Sequence, residues 1–178
     1  MADIICAGFG GQGVLTAGLI LAKTGMNNGK NVSWIPSYGS EMRGGTANCN
    51  VRISDGKVPS PFIKHSDILL AMNIPSVSKF MPLMRTGGLL VVNTTLVKDI
   101  AYREDIEVLG IPATDIAEAE HNLRGANIVM LGAFASAGRL FDKPVLAAGI
   151  DEFFASKGRS NPKNALCFER GYAECQRL

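Results

Sequence analysis

Short, wholly apolar runs alternate along this chain with longer segments whose apolar residues recur every three or four positions. Ile4-Ile5-Cys6-Ala7 is the first run, and Val14, Leu15, Ala17, Leu19, Ile20, Leu21 and Ala22 follow at helical spacing. The pattern predicts a buried strand, a tight glycine-rich turn, and a helix over residues 13–27 that ends at Asn27-Asn28-Gly29. Asn31 to Ile35 reads as a second strand stopped by Pro36. Asp67 to Met72 and Leu89 to Asn93 are continuous apolar runs, as expected of strands covered on both faces of a parallel sheet. Between them, Asn73-Ile74-Pro75-Ser76 opens a helix through Met84, with Thr86-Gly87-Gly88 closing it. Glu107 to Pro112 reads as the last short strand, and Pro112 to Glu120 as a helix whose cap comes from Thr114 or Asp115.

One segment has a different period. Ala47, Cys49, Val51 and Ile53 alternate strictly with Asn48, Asn50 and Arg52, which predicts a half-exposed strand, antiparallel or at a sheet edge. Residues 126–140 are apolar nearly all round and should form a central buried helix; Gly132, Ala133, Ala135 and Ala137 allow close approach by another helix or subunit. Two further helices are expected at 145–156 and 161–177. The chain shows no repeat, low-complexity tract or linker, so residues 1–178 are read as one α/β domain: Rossmann-like, with a mostly parallel twisted sheet and helices on both faces.

Composition narrows the function classes. With 178 residues, 47% hydrophobic and 19% charged, the chain can build a sizeable core. A net charge of +2 gives no case for nucleic acid, and no apolar run is long enough for a membrane span. Met1-Ala2-Asp3 leads straight into the first strand without a basic leader, so no signal peptide is expected. Cys6, Cys49, Cys167 and Cys175 form no C-x-x-C pair, which suits a reduced cytoplasmic compartment and argues against an iron–sulfur cluster or zinc held by this chain.

Two glycine-rich stretches are the candidate sites. Gly8, Gly10 and Gly13, with Gly11 and Gln12 between them, match G-x-G-x-x-G between a strand and a helix, where unpaired N–H groups favour an anion. The same glycines would also serve simple close packing. A dinucleotide unit should end its second strand on an acid that holds the ribose hydroxyls, yet the chain reads Ile35-Pro36-Ser37-Tyr38. A crossover helix is expected next, but Pro36 to Thr46, with three glycines, is a poor helix former. It reads either as a polar surface loop or as a shaped loop presenting Ser37, Tyr38, Glu41, Arg43 and Gly44 to a ligand or a neighbouring subunit. Asn127, the polar side chain at the start of the long apolar helix, can cap it or reach the first glycine loop. His65 and His121 have no obvious nucleophile or carboxylate partner, Glu118 and Glu120 read as a solvated helix end, and no catalytic set is complete.

Gly8-Phe9-Gly10-Gly11-Gln12-Gly13-Val14, followed by Pro36-Ser37-Tyr38-Gly39-Ser40-Glu41-Met42-Arg43-Gly44-Gly45-Thr46-Ala47-Asn48-Cys49, resembles the gamma subunit of 2-oxoacid:ferredoxin oxidoreductases over essentially the whole chain, including Asn127, Leu131 and Gly132. The second motif looks most like the 2-oxoglutarate or generic 2-ketoacid branch, with Ser40 where proline is expected. Indolepyruvate enzymes have a similar subunit, so the substrate stays open. The resemblance implies a complex that converts a 2-oxoacid, coenzyme A and oxidised ferredoxin to acyl-CoA, CO2 and reduced ferredoxin. Alpha and beta subunits, and a small ferredoxin-like delta subunit, would be the partners. They would carry thiamine diphosphate and 4Fe-4S clusters; this chain would hold no cofactor alone, would touch coenzyme A through the two loops, and would be inactive in isolation, with self-association open to it. The competing readings are a free-standing nucleotide-binding oxidoreductase and a pure scaffold subunit.

Overall fold

A computed structural model describes residues 1–38, 46–58 and 60–178. Seven strands form one sheet: β1 (Ala2–Phe9), β2 (Asn31–Tyr38), β3 (Thr46–Ser54), β4 (Ser66–Ala71), β5 (Met84–Asn93), β6 (Glu107–Ile111) and β7 (Gln176–Arg177), in the spatial order β2-β3-β1-β4-β5-β6-β7. β1, β4, β5 and β6 pair in parallel, whereas β3 is antiparallel to both β1 and β2, and β7 is antiparallel to β6. The sheet is therefore mostly parallel, as expected, but β3 lies between β1 and β2. The helices are α1 (Val14–Asn27), α2 (Ile74–Phe80), α3 (Ala113–Ala119), α4 (Ala126–Ser136), α5 (Lys143–Ala155) and α6 (Lys163–Glu174), and a 3-10 turn at Met81–Leu83 follows α2.

Helices lie on both faces, unequally. Ile4, Cys6, Cys49, Val51, Leu70, Val91 and Ile111 face a large core shared with α1, α3, α4, α5 and α6. Ile5, Ala7, Leu69, Leu90 and Val92 face a smaller core closed by Val77 and Phe80 of α2, with Val97 from the β5–β6 connection. The alternation follows from the strand period of two, so every second residue of β1 and β5 enters the other core. As its uniform apolarity predicts, α4 is the buried centre of the helical layer. It crosses α6 where Gly132 and Gly171 carry no side chain: a Cβ on Gly132 would lie 2.1 Å from the Phe168 carbonyl oxygen, and one on Gly171 2.0 Å from that of Val129. The close approach foreseen at Gly132 is thus with another helix of the same chain.

Several boundaries differ from the sequence reading, each for a physical reason. Pro36 does not stop β2, because β2 is the outermost strand and a missing N–H is tolerated on its outer side. The alternating strand β3 is antiparallel but interior, and the edge is β2 instead. Since β2 pairs antiparallel with β3, no crossover helix is needed between them. Thr86-Gly87-Gly88 lies within β5 and does not close a helix; α2 ends at Phe80 because Pro82 cannot donate the next helical bond. The long apolar helix ends at Ser136, not at 140, and the last helix ends at Glu174 before β7 adds a strand beyond β6. Neither Thr114 nor Asp115 caps α3; Asn93, closing β5, accepts from the Thr114 N–H at 3.4 Å and donates to Thr114 Oγ1 at 2.9 Å.

The amino ends of the strands are held by charge. Arg52 donates to both Asp3 carboxylate oxygens, at 2.6 and 2.9 Å, and to the Ser60 carbonyl. Arg85 bridges Asp3 and Asp67, and the Asp3 N–H donates to Asp67 at 2.8 Å. The Asp3 side chain is fully buried. Burial alone would raise its pKa, but hydrogen bonds from Arg52 and then Arg85 hold it below the usual carboxylate range.

Candidate functional site

The carboxyl ends of β1 and β4 mark the point where the chain leaves the sheet in opposite directions, toward β2 by α1 and toward β5 by α2. Open α/β sheets place their crevice at such a point. The first glycine loop sits there. Gln12 folds back over it: its side-chain oxygen accepts the Phe9 N–H at 2.6 Å, and its own N–H donates to the Phe9 carbonyl at 3.2 Å. Gly8 is buried, with Gln12, Val14 and Met72 around the space a side chain would need. Gly10 and Gly11 are exposed at the tip.

Gly13 caps α1 in the left-handed region, with φ 76°. No side chain caps α1 and no acid lies in its first turn. Its first N–H groups therefore lack intrahelical acceptors and face the loop end, where the helix dipole is positive. Asn127, in the first turn of α4, reaches this loop as expected and donates from Nδ2 to the Gly13 carbonyl at 3.1 Å. It is only 3% exposed, and its Oδ1 has no hydrogen-bond partner among the described residues. A buried amide oxygen left unpaired is costly, so a donor supplied from outside would be strongly favoured here.

Two asparagines of this rim were not singled out from the sequence as site residues. Asn73 caps α2 by accepting the Ser76 N–H at 2.9 Å; it is 1% exposed and its Nδ2 lacks a partner. Asn93 joins β5 to α3 and is satisfied. A signal was present for both: each is the single polar residue closing an apolar strand run at the carboxyl end.

The second loop is only partly placed. Its flanks are level with the first loop, since Phe9 pairs with Thr46 and Tyr38 with Ala47. Ser37 is exposed on β2, about 10 Å to the side of β1 at two strand spacings. Its alternation with Trp34 and Pro36 turns it to the face away from α1. Tyr38 ends β2. Glu41, Arg43 and Gly44 lie outside the described residues. His65 is exposed; Glu120 pairs with Arg170 at 2.9 Å, and His121 lies exposed just beyond α3. Among the described residues no cluster of His, Cys, Asp or Glu could hold a metal ion, and no helix is long and apolar enough to cross a membrane. The glycine loop can meet an anion through backbone N–H groups and Asn127 Oδ1 can accept from a donor, but they offer no acid, base or nucleophile.

The sequence and the fold match a known family. A profile described as pyruvate ferredoxin/flavodoxin oxidoreductase matches residues 3–174. The chain belongs to this family. The ketoisovalerate oxidoreductase subunit VorA of Methanothermobacter marburgensis is 42% identical over 132 residues, 74% of this chain and 27% of VorA. The 2-oxoglutarate synthase subunit KorC of Methanocaldococcus jannaschii is 34% identical over 179 residues, spanning 99% of this chain and 95% of KorC. The crystal structure of a keto/oxoacid ferredoxin oxidoreductase gamma subunit from Geobacter sulfurreducens superposes with a TM-score of 0.78 at 26% identity, covering 97% of this chain and 96% of that one. The chain thus spans about a quarter of VorA but nearly all of KorC and of the gamma subunit. Within the pyruvate ferredoxin/flavodoxin oxidoreductase family, the fold of this chain is that of the gamma subunit.

Proposed function

We propose that this chain is the gamma subunit of a 2-oxoacid:ferredoxin oxidoreductase, working in a complex that turns a 2-oxoacid, coenzyme A and oxidised ferredoxin into acyl-CoA, CO2 and reduced ferredoxin. The observation that supports the reading is the uncapped start of α1 beside Asn127, where backbone N–H groups and one amide oxygen are open to a ligand and no reacting side chain lies. It contributes binding and assembly, while alpha and beta subunits supply thiamine diphosphate and 4Fe-4S clusters, with a ferredoxin-like delta subunit passing electrons. The names of VorA and KorC support a branched 2-ketoacid or 2-oxoglutarate as substrate. Free cysteines support a reduced cytoplasmic setting.

In this reading Gly10, Gly11 and Gly13 receive the diphosphate of coenzyme A, Gly8 and Gln12 shape the loop, and Asn127 braces it through Gly13 while offering Oδ1 to a donor on the ligand. Ser37, Tyr38, Glu41, Arg43 and Gly44 complete the rim, with Arg43 answering an anionic group. A free-standing dinucleotide oxidoreductase is disfavoured: besides lacking the acid, β2 is separated from β1 by β3, so its end cannot meet a ribose held at the first loop.

The test is reconstitution. The purified chain should show no 2-oxoacid oxidation, and activity should return with the remaining subunits. Gly10→Val and Arg43→Ala should then raise KM for coenzyme A severalfold with assembly intact. Turnover by the chain alone would overturn the proposal. Unchanged KM with impaired assembly would assign the loops to subunit contact only. Saturable NAD binding without coenzyme A binding would favour the dinucleotide enzyme.

A further inference from the structure

The two edges of the sheet are finished differently. β7 is a two-residue strand carrying Arg177, which pairs with Glu107 at 2.5 Å; shortness and charge both discourage a further strand. β2 has eight residues, Asn-Val-Ser-Trp-Ile-Pro-Ser-Tyr, without a charge. Among the described residues nothing pairs with its outer side. The β2–β3 ladder runs unbroken from Asn31 opposite Ser54 to Tyr38 opposite Ala47. Pro36 has no N–H, so within that ladder its backbone groups must face outward, and alternation turns those of Val32 and Trp34 outward as well.

The layer above the edge is apolar too. Gly18 and Gly25 of α1 face the sheet, against Cys49 and Trp34 and against Val32 and Ile53, while Thr24 meets Gly149 of α5 and Gly13 meets Asn127 of α4. Leu15 and Leu19 share the remaining side of α1 at helical spacing. Leu15 and Leu19 are half-buried, Met26 is 62% exposed, and Val32, Trp34 and Pro36 below them are half-buried. Leu15, Leu19, Val32, Trp34 and Pro36 form one uncharged strip along the open edge, and Met26 lies beyond it, beside Lys23, Glu152 and Phe153 between α1 and α5.

We propose that this strip is a self-association surface, on which β2 of a second copy of the chain pairs antiparallel with β2 and continues the sheet across a two-fold axis. An uncharged strip meets its own copy without like-charge conflict, and a two-fold axis brings identical strands together antiparallel. The area suffices: eight residues at about 3.4 Å each and two layers about 20 Å deep give roughly 540 Å² per copy, or about 1,100 Å² in total, just above the ~1,000 Å² of a specific interface. The outward N–H and C=O groups of Val32 and Trp34 supply the ladder. This inference does not depend on the enzymatic reading.

Sedimentation velocity on the full chain, from low micromolar to submillimolar concentration, should show a monomer–dimer equilibrium, and amide exchange at Val32 and Trp34 should slow as dimer forms. Leu19→Glu, next to the Gly18–Trp34 contact near the middle of the ladder, brings like charges close to the two-fold axis and should weaken dimerisation at least about tenfold. Val32→Pro removes an outward N–H without touching the β3 ladder and should do the same; thermal melts at low concentration confirm that each variant is folded. A chain that stays monomeric at every concentration, or a dimer indifferent to both variants, overturns the proposal. Protection of β2 amides that appears only on adding other subunits of the enzyme also overturns it and gives the edge to them.

Discussion

At the amino ends of the strands, Asp3, Asp67, Arg52 and Arg85 lock into one ion-pair cluster; at the carboxyl ends, Gly10 to Gly13, Asn73 and Asn127 present uncharged donors and acceptors, two of them without partners. Arg103 with Asp105, and Arg139 and Arg177 with Glu107, extend the charged end to β6. Both ends contain buried polar groups, and the difference lies in their kind: charges paired with one another at the amino ends, where the Ser66 hydroxyl also lacks a partner, and open amides at the carboxyl ends. Groups that satisfy one another hold the chain together. Groups left open carry a cost that an outside partner can relieve. Burial of polar atoms by itself would have pointed to both ends as sites; mutually paired charges at one end and open amides at the other separate them.

Breaking the charged end should have the largest effect. Asp3→Ala leaves Arg52 buried without its carboxylate and should cost about 3–5 kcal/mol in chemical denaturation, with coenzyme A affinity of the assembled enzyme unchanged. If affinity fell as well, the two ends would be coupled. The same cluster gives a pH dependence. The folded pKa of Asp3 is lowered from 3.8, so its contribution is complete above that value and is lost as pH falls below it toward the folded pKa. Asp105, lowered to about 2 first by its bond with Arg103 and then by Thr86, acts in the same direction. Thermal midpoints should drop in acid below about pH 4, and in Asp3→Ala that drop should be smaller.

At the open end, Gly13→Val meets both a left-handed backbone and Asn127 Nδ2, 2.7 Å from the new Cβ. It should destabilise by about 1–3 kcal/mol and remove the ligand contact, read by calorimetric titration of the complex. Asn127→Ala is gentler. It deletes one hydrogen bond and one orphaned oxygen together, so stability should fall by only about 1 kcal/mol while KM for coenzyme A rises with kcat little changed. A stability loss without a KM change would make Asn127 a brace only. The smallest effect is expected away from both ends. His121 ends α3 in a left-handed conformation, φ 52°, with its N–H on the Glu118 carbonyl and that of Asn122 on Ala117. Glycine suits that position, so His121→Gly should raise stability by about 0.5–1 kcal/mol without touching ligand binding.

Much of this was legible in the order of residues. The apolar runs of β1, β4 and β5, the periodicity of α1, the all-round apolarity of α4 and the glycine loop between strand and helix each depend on neighbours within a few positions, and local sterics and period fix them. The polar exception Asn127 and the approach allowed by Gly132 were also visible, since both break a pattern in place. Other features depend on who lies alongside. β3 enters between β1 and β2, which turns the strand that holds Pro36 into an edge and removes the need for a crossover helix. Asn93 displaces Thr114 and Asp115 as the cap of α3, because a hydrogen bond is won by whichever group the fold brings near. Asp3, an unremarkable acid near the start of the chain, becomes a fully buried anchor only through Arg52 and Arg85, 49 and 82 residues away. Sequence by itself determined which segments would be strands, helices and tight glycine turns, because those follow from local conformational cost and the burial of apolar faces. Only the tertiary structure decided which buried polar groups found partners and which stayed open, because satisfaction belongs to distances between remote residues.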